Sequence, residues 1–167
     1  MLNLKKSFTI IELIIFMGVL SILLFVLTDV FISSLDVKSQ SQSQAGLQQD
    51  GRYILAKLIY DINRGSAISD PAIGIESNSL TIVINGENQT YSLINGILRL
   101  TNNLGNFNLN SFQTQVSDLK FLHLGNPVTV ERPNPKDNIR ISFSLTSNKI
   151  INSGQEVVSY QTTAGLR

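Results

Sequence analysis

Hydrophobic and polar positions divide the chain into stretches of different period. From residue 8 to residue 32, 19 of 25 positions are apolar, and they fall on every face of a helix. Further on, Leu47, Gly51, Ile54, Leu55, Leu58 and Ile62 recur every three or four residues, the spacing of one helix face. Lys57 and Asp61 stand four apart on the polar side, and Gly65 after Arg64 is a stop signal. The intervening tract Ser39-Gln40-Ser41-Gln42-Ser43-Gln44 holds neither Pro nor Gly, and Gln favours helix. The pattern predicts one helix over about 8–63, roughly 80 Å long, apolar all round at first and amphipathic afterwards. Gly46 and Gly51 weaken a straight rod, and a break within 33–44 is the alternative.

After residue 65 the period changes. Leu80-Thr81-Ile82-Val83-Ile84, Thr90-Tyr91-Ser92-Leu93-Ile94 and Ile97-Leu98-Arg99-Leu100-Thr101 are short β-favouring runs. Asn85-Gly86 and Asn95-Gly96 separate them, the strongest short-range hairpin signal, so a three-strand antiparallel meander is predicted. Further strands are expected over 116–124, 139–146 and 157–163. The stretch 126–137, with Pro127, Pro133 and Pro135, is expected to be a surface loop. The predicted fold class is α+β: a long N-terminal helix packed on an antiparallel β-sheet.

The apolar run also has the length of a membrane span. Residues 8–28 make a helix of about 31 Å, against a hydrocarbon core of about 30 Å. Lys5 and Lys6 precede it while Asp29 and Asp36 follow, which by the positive-inside rule leaves the N-terminus in the cytoplasm. A cleaved secretory signal has a shorter apolar core and a small-x-small cleavage site, and 28–35 offers a poor one. A plain membrane anchor is the other simple reading. Glu12 bears on it: a carboxylate inside an apolar run costs several kcal/mol without a partner. Either Glu12 has a functional partner, or it stays hydrated near the interface.

Composition narrows the chemistry. The 167 residues contain no cysteine and a single histidine, His123, which excludes disulfide scaffolds, thiol catalysis and Cys/His zinc sites. Formal charge is +1, so no dedicated nucleic-acid binding is expected. Charged residues are 15% of the chain, below the roughly 25% of soluble domains, with Ser, Thr, Asn and Gln making up the difference.

The run Lys5-Lys6-Ser7-Phe8-Thr9-Ile10-Ile11-Glu12-Leu13 resembles the N-terminal signature of type IV pilins and type II secretion pseudopilins. Downstream, several segments resemble the J-type minor pseudopilins and W-type minor pilins of that family. They are Arg52-Tyr53-Ile54-Leu55-Ala56-Lys57-Leu58 with Asp61-Ile62, Leu80-Thr81-Ile82-Val83, Tyr91-Ser92-Leu93 before Asn95-Gly96, Val116-Ser117-Asp118-Leu119-Lys120-Phe121 and the closing 161–167. The resemblance implies cleavage between Ser7 and Phe8 by a prepilin peptidase, N-methylation of Phe8, and a role for Glu12 in subunit assembly, opposite the amine of a neighbour. Ser7 departs from the family's usual Gly. Loss of Lys5 and Lys6 would leave 11 basic and 12 acidic residues, a mature charge near −1.

Four parts follow: a leader over 1–7, a transmembrane or filament-core half-helix over 8–32, an amphipathic half-helix over 33–64, and an extracytoplasmic β-domain over 65–167. The expected function is that of a minor pilin or pseudopilin in an inner-membrane-derived filament, with no enzymatic activity, cofactor or metal. Its partners would be the prepilin peptidase, other subunits of the same filament and inner-membrane lipid. The alternative is a membrane-anchored extracytoplasmic binding protein that joins no filament.

Other candidates carry less. His123 has no second imidazole for a metal site and reads as an ordinary strand residue. Asn88-Gln89-Thr90 fits the glycosylation sequon, a triplet common by chance. Asp118, Glu131 and Asp137 lack the spacing of a calcium loop. Lys120, Arg132, Lys136 and Arg140 would make a small basic surface patch.

Overall fold

The computed structural model describes residues 9–125, 137–149 and 154–167. The fold is α+β: a helix, α1 (Ile10–Arg64), packs on two antiparallel sheets. The sequence predicts the helix and the antiparallel pairing, but as one sheet; the division into two is a correction. The expected strand over 116–124 is joined to the meander by a loop that carries the chain across to a second layer.

Thr9 starts α1. Its hydroxyl accepts the Glu12 N–H at 3.3 Å, and its carbonyl accepts the Leu13 N–H at 3.2 Å. At the other end the Gly65 N–H turns back to the Ile62 carbonyl at 3.0 Å. The helix runs unbroken through 33–44, so the alternative of a break does not hold. The chain nevertheless separates into two compact units, one ending at Gln40 and one beginning at Ser41.

In the first unit none of the described residues of α1 is buried. In the second, the turns from Ser43 onward bury Leu47, Gly51, Ile54, Leu58 and Ile62, the predicted stripe except for Leu55, which is half-buried. One sheet has the order β1 (Ala67–Asp70), β3 (Ser79–Ile84), β4 (Glu87–Ile94), β5 (Ile97–Asn102), β6 (Gly105–Asn108). The other has the order β2 (Glu76–Ser77), β7 (Thr114–Leu124), β8 (Asn138–Ser147), β9 (Val157–Gly165). Leu80, Ile82, Tyr91 and Leu98 from the first and Phe121, Ile139, Ile141 and Phe143 from the second join the helix stripe in one core.

The three-strand antiparallel meander forms as predicted, as β3, β4 and β5. Ile84 faces Glu87 and Ile94 faces Ile97, so two-residue turns hold Asn85 and Asn95 at φ 54° and 51°. Asn tolerates this left-handed region and Gly follows in it, which is why Asn-Gly closes both hairpins. Strands β1, β2 and β6 have four residues or fewer and little alternation, and the sequence does not announce them. Residues 126–136 of the expected loop lie outside the described residues.

Candidate functional site at the start of the helix

Ser7 and Phe8, the expected cleavage and methylation positions, lie outside the described residues. Glu12 is described, and it occupies the third position of α1, directly after the Thr9 cap. Thr9-x-x-Glu12 is the spacing of a capping box. The helix macrodipole favours a negative charge there by about 0.3–1 kcal/mol. This signal stands in the sequence and gives Glu12 a local role beside any role in assembly. Glu12 is exposed among the apolar side chains Ile10, Ile11, Leu13, Ile14, Ile15 and Phe16.

That surface defines the site's environment. Nineteen large apolar side chains between Ile10 and Val37 are more than half exposed. Burying each is worth roughly 1.5–3 kcal/mol, so the sum runs to tens of kcal/mol. An entire domain is stable by only about 5–15 kcal/mol, so water is the wrong medium for this half of α1. The helix contains a window of mean hydropathy 2.9, none of it buried, and is long and apolar enough to cross a membrane.

Its few hydroxyls suit such a medium. Ser21 donates to the Met17 carbonyl and Thr28 to the Leu24 carbonyl, both at 2.8 Å, and Ser34 donates to Val30 at 2.9 Å. Each of these three hydroxyl protons is satisfied one turn back, so none of the three needs water. A Cβ built on Gly18 would meet nothing within 4 Å, which leaves a shallow step where another helix can approach closely.

Within the second unit the polar groups hold elements together. Asp50 accepts from the Ser111 N–H at 3.0 Å, the Ser111 hydroxyl at 2.7 Å and the Thr114 hydroxyl, fixing α1 to the loop before β7. Asp61, 2% exposed, pairs with Lys57 at 2.9 Å and receives the Tyr91 hydroxyl. Burial and that carboxylate push the Tyr91 phenol well above its ordinary value. Asn110 accepts the Leu98 N–H at 2.8 Å and donates to the Gly96 carbonyl at 3.2 Å and the Thr114 carbonyl at 2.7 Å. Sequence reasoning did not single out Asp50 or Asn110, because polar residues in loops and on helix faces look alike until their partners are known.

The remaining candidates do not converge. His123 is buried on β7, with Nδ1 at 2.7 Å from the Pro71 carbonyl, which only a protonated Nδ1 can satisfy. Its Nε2 lies 3.1 Å from Asp137 Oδ2, close in distance but not aligned as a hydrogen bond. Among the described residues, no three His, Cys, Asp or Glu side chains come together to hold a metal; Glu131 lies outside them. Lys120 pairs with Glu76 at 2.9 Å, which raises its pKa, while Arg132 and Lys136 lie outside the described residues. Asn88 is exposed near the start of β4. A groove of about 290 Å³ runs between Gln42, Ser43 and Gly46 of α1 and the segments around Phe112 and Asn148; among the described residues lining it, Lys149 is the one that is charged.

No protein-family model, no characterised protein sequence and no solved structure matches this chain.

Proposed function

We propose that the chain is a structural subunit, a minor pilin or pseudopilin, of a type IV pilus or type II secretion-like filament. The observation that carries this reading is the first half of α1: a largely apolar surface on all sides, with the Glu12 carboxylate in its first turn. Such a helix suits two environments in turn. Lipid covers it before assembly, and the helices of neighbouring subunits cover it afterwards. The resemblance of Ser7 to Glu12 to the prepilin signature supplies the order of events.

In this reading the N-terminus faces the cytoplasm and the unit from Ser41 onward is extracytoplasmic. Prepilin peptidase cuts after Ser7 and methylates the amine of Phe8. The new positive charge enters an apolar assembly, where an unpaired amine and an unpaired carboxylate are each costly and compensate each other when paired. Glu12 then sets the axial register between subunits. The β-sheet unit faces outward and performs no chemistry.

The test is the mass of the mature N-terminus in cells with and without the peptidase. N-methylated Phe8, dependent on the peptidase, is the expected result. An intact Met1 in both strains overturns the reading and favours a permanent anchor that carries an extracytoplasmic binding domain.

A further inference from the structure

The outer face of the first sheet holds an arginine with no counter-charge among the described residues. Arg99 stands mid-strand on β5 between the core residues Leu98 and Leu100, so its side chain points away from the core. The register sets Ser92 of β4 on one side of it and Asn108 of β6 on the other. Arg99 is half-buried, and its Nε is closed off from solvent with no hydrogen-bond partner among the described residues. Among the same residues the Ser92 and Asn108 side chains make no hydrogen bond either. Asp70, at the end of β1, is the one carboxylate described on this face; it accepts from the Ser79 hydroxyl at 2.6 Å, and β5 lies three strands away.

The neighbouring row of the same face satisfies itself. Thr81 and Thr90 bond each other at 3.0 Å, and Thr101 donates to Asn106 at 2.7 Å. The row that runs through Ser92, Arg99 and Asn108 does not. A buried polar atom without a partner is rare, and it is most costly on a charged group. Beside the arginine the face turns apolar. Ile94 and Ile97 oppose each other across the second hairpin turn, on the side of the sheet away from Leu93 and Leu98, and Ile94 is 40% exposed. Ile97 stands two residues before Arg99, so the isoleucine pair and the guanidinium adjoin on one face.

We infer that this patch is a docking site for an acidic segment of a partner protein, one that presents an aspartate or glutamate next to an aliphatic residue. Charge selects the carboxylate. The planar guanidinium matches carboxylate geometry, and Ser92 and Asn108 supply neutral donors beside it. A dianionic phosphate asks for a second cation, and among the described residues this face has none. The isoleucine pair selects the aliphatic neighbour of that carboxylate.

The open face of a sheet selects a protein over a free acid, because small ligands are held by burying most of their own surface in a cleft. An arginine at the border of a small apolar patch is also the composition found at the centre of protein interfaces. The inference is independent of the filament reading, because a permanently anchored binding protein would use the same patch.

The test uses full-length protein in detergent micelles and a fluorescein-labelled peptide, Leu-Glu-Gly-Leu-Glu-Gly with an amidated end, followed by fluorescence anisotropy. Wild type should bind it saturably. Arg99→Gln should weaken binding about tenfold, the worth of one charge-assisted hydrogen bond. Ile94→Ser should weaken it by a smaller factor. Arg52→Gln, which removes an exposed cation of α1, should leave it unchanged. A twin peptide with Gln in place of Glu should bind wild type as poorly as the Glu peptide binds Arg99→Gln. Circular dichroism checks each variant, and Arg99→Lys, which keeps the charge and loses the fork, replaces Arg99→Gln if that variant does not fold. No saturable binding overturns the inference, and so does equal affinity for the Gln twin. Equal affinity in the Arg99 variant, or an equal loss in Arg52→Gln, overturns it as well. Displacement of the peptide by hexanoate or by inorganic phosphate at matching concentration overturns it in favour of a free acid or a phosphate.

Discussion

Tyr91 of β4 gives its hydroxyl proton to Asp61 of α1 across the interior of the second unit. Tyr91 is fully buried, and Asp61 stands one turn from the end of the helix, so the contact fixes that end against the first sheet. Lys57 supplies the compensating charge from the same helix at 2.9 Å. Tyr91→Phe keeps the ring and removes a donor from a buried carboxylate, and should cost about 1–3 kcal/mol. Asp61→Ala, which leaves the Tyr91 hydroxyl unpaired and Lys57 without its carboxylate, should cost more. Denaturant midpoints of the two variants against wild type check both.

The same pair predicts a response to alkali. Burial, then the hydrogen bond to Asp61, raises the Tyr91 phenol above its ordinary value of 10.0 in the folded state. A raised pKa means that the folded state holds the proton more tightly. The stabilisation is therefore complete below the unfolded value and is lost as pH climbs above it. Wild-type Tm should fall more steeply above pH 10 than that of Tyr91→Phe, and the two curves should run parallel at neutral pH. Melting curves across that range decide it.

Two glycines in one helix should respond oppositely to alanine. A Cβ on Gly51 would overlap the ring of Tyr160, the residue that ties β9 to α1. Gly51→Ala should destabilise by about 1–3 kcal/mol, despite alanine's better helix propensity. At Gly46 the nearest atom to an added Cβ is Gln113 Oε1 at 3.5 Å, an ordinary contact. Gly46→Ala should stabilise by up to about 1 kcal/mol. Thermal melts of the two variants under one condition test the sign.

These glycines also mark how far the sequence could be read. The spacing of Leu47, Ile54, Leu58 and Ile62 reveals the buried face because burial repeats with the helix. Asn-Gly reveals the hairpins because few other pairs accept two left-handed residues. The second sheet stays hidden because the step from β6 to β7 depends on Asn110 and Asp50 finding backbone and hydroxyl partners far away in sequence. Such bonds leave no periodic trace. Glu12 shows the reverse limit. Its place after Thr9 is legible as a cap, and its place in an apolar run is legible as a cost, yet neither pattern states which of the two acts.

The two Asn-Gly turns should age at different rates. Attack of the glycine nitrogen on the asparagine side-chain carbon expels ammonia and closes a five-membered imide, which water reopens to a carboxylate. Ring closure needs the turn to leave its native conformation, so the rate follows local opening. Gly86 stands in open space. Gly96 packs on Gln115, and its carbonyl accepts from Val116 at 2.8 Å and from Asn110 at 3.2 Å. Asn85 should deamidate first in protein held at mildly alkaline pH, and Asn110→Ala should accelerate Asn95 without changing Asn85. Peptide mapping by mass spectrometry follows each site separately.

The two roles open to Glu12 can be separated by changing charge and cap independently. Thr9→Val keeps the shape of the side chain and removes the oxygen that receives the Glu12 N–H, a loss of about 1 kcal/mol in helix stability. Glu12→Gln keeps the length and hydrogen-bonding reach of the side chain but removes its charge. If Glu12 acts through the start of its own helix, both variants should enter filaments at similarly reduced levels. If it meets the amine of a neighbouring subunit, Thr9→Val should assemble nearly as wild type and Glu12→Gln should not, because a neutral amide leaves that amine buried without a counter-charge. The filament reading predicts the second outcome. Sheared-filament fractions compared with membrane pools of each variant measure it, since both should still be inserted in the membrane.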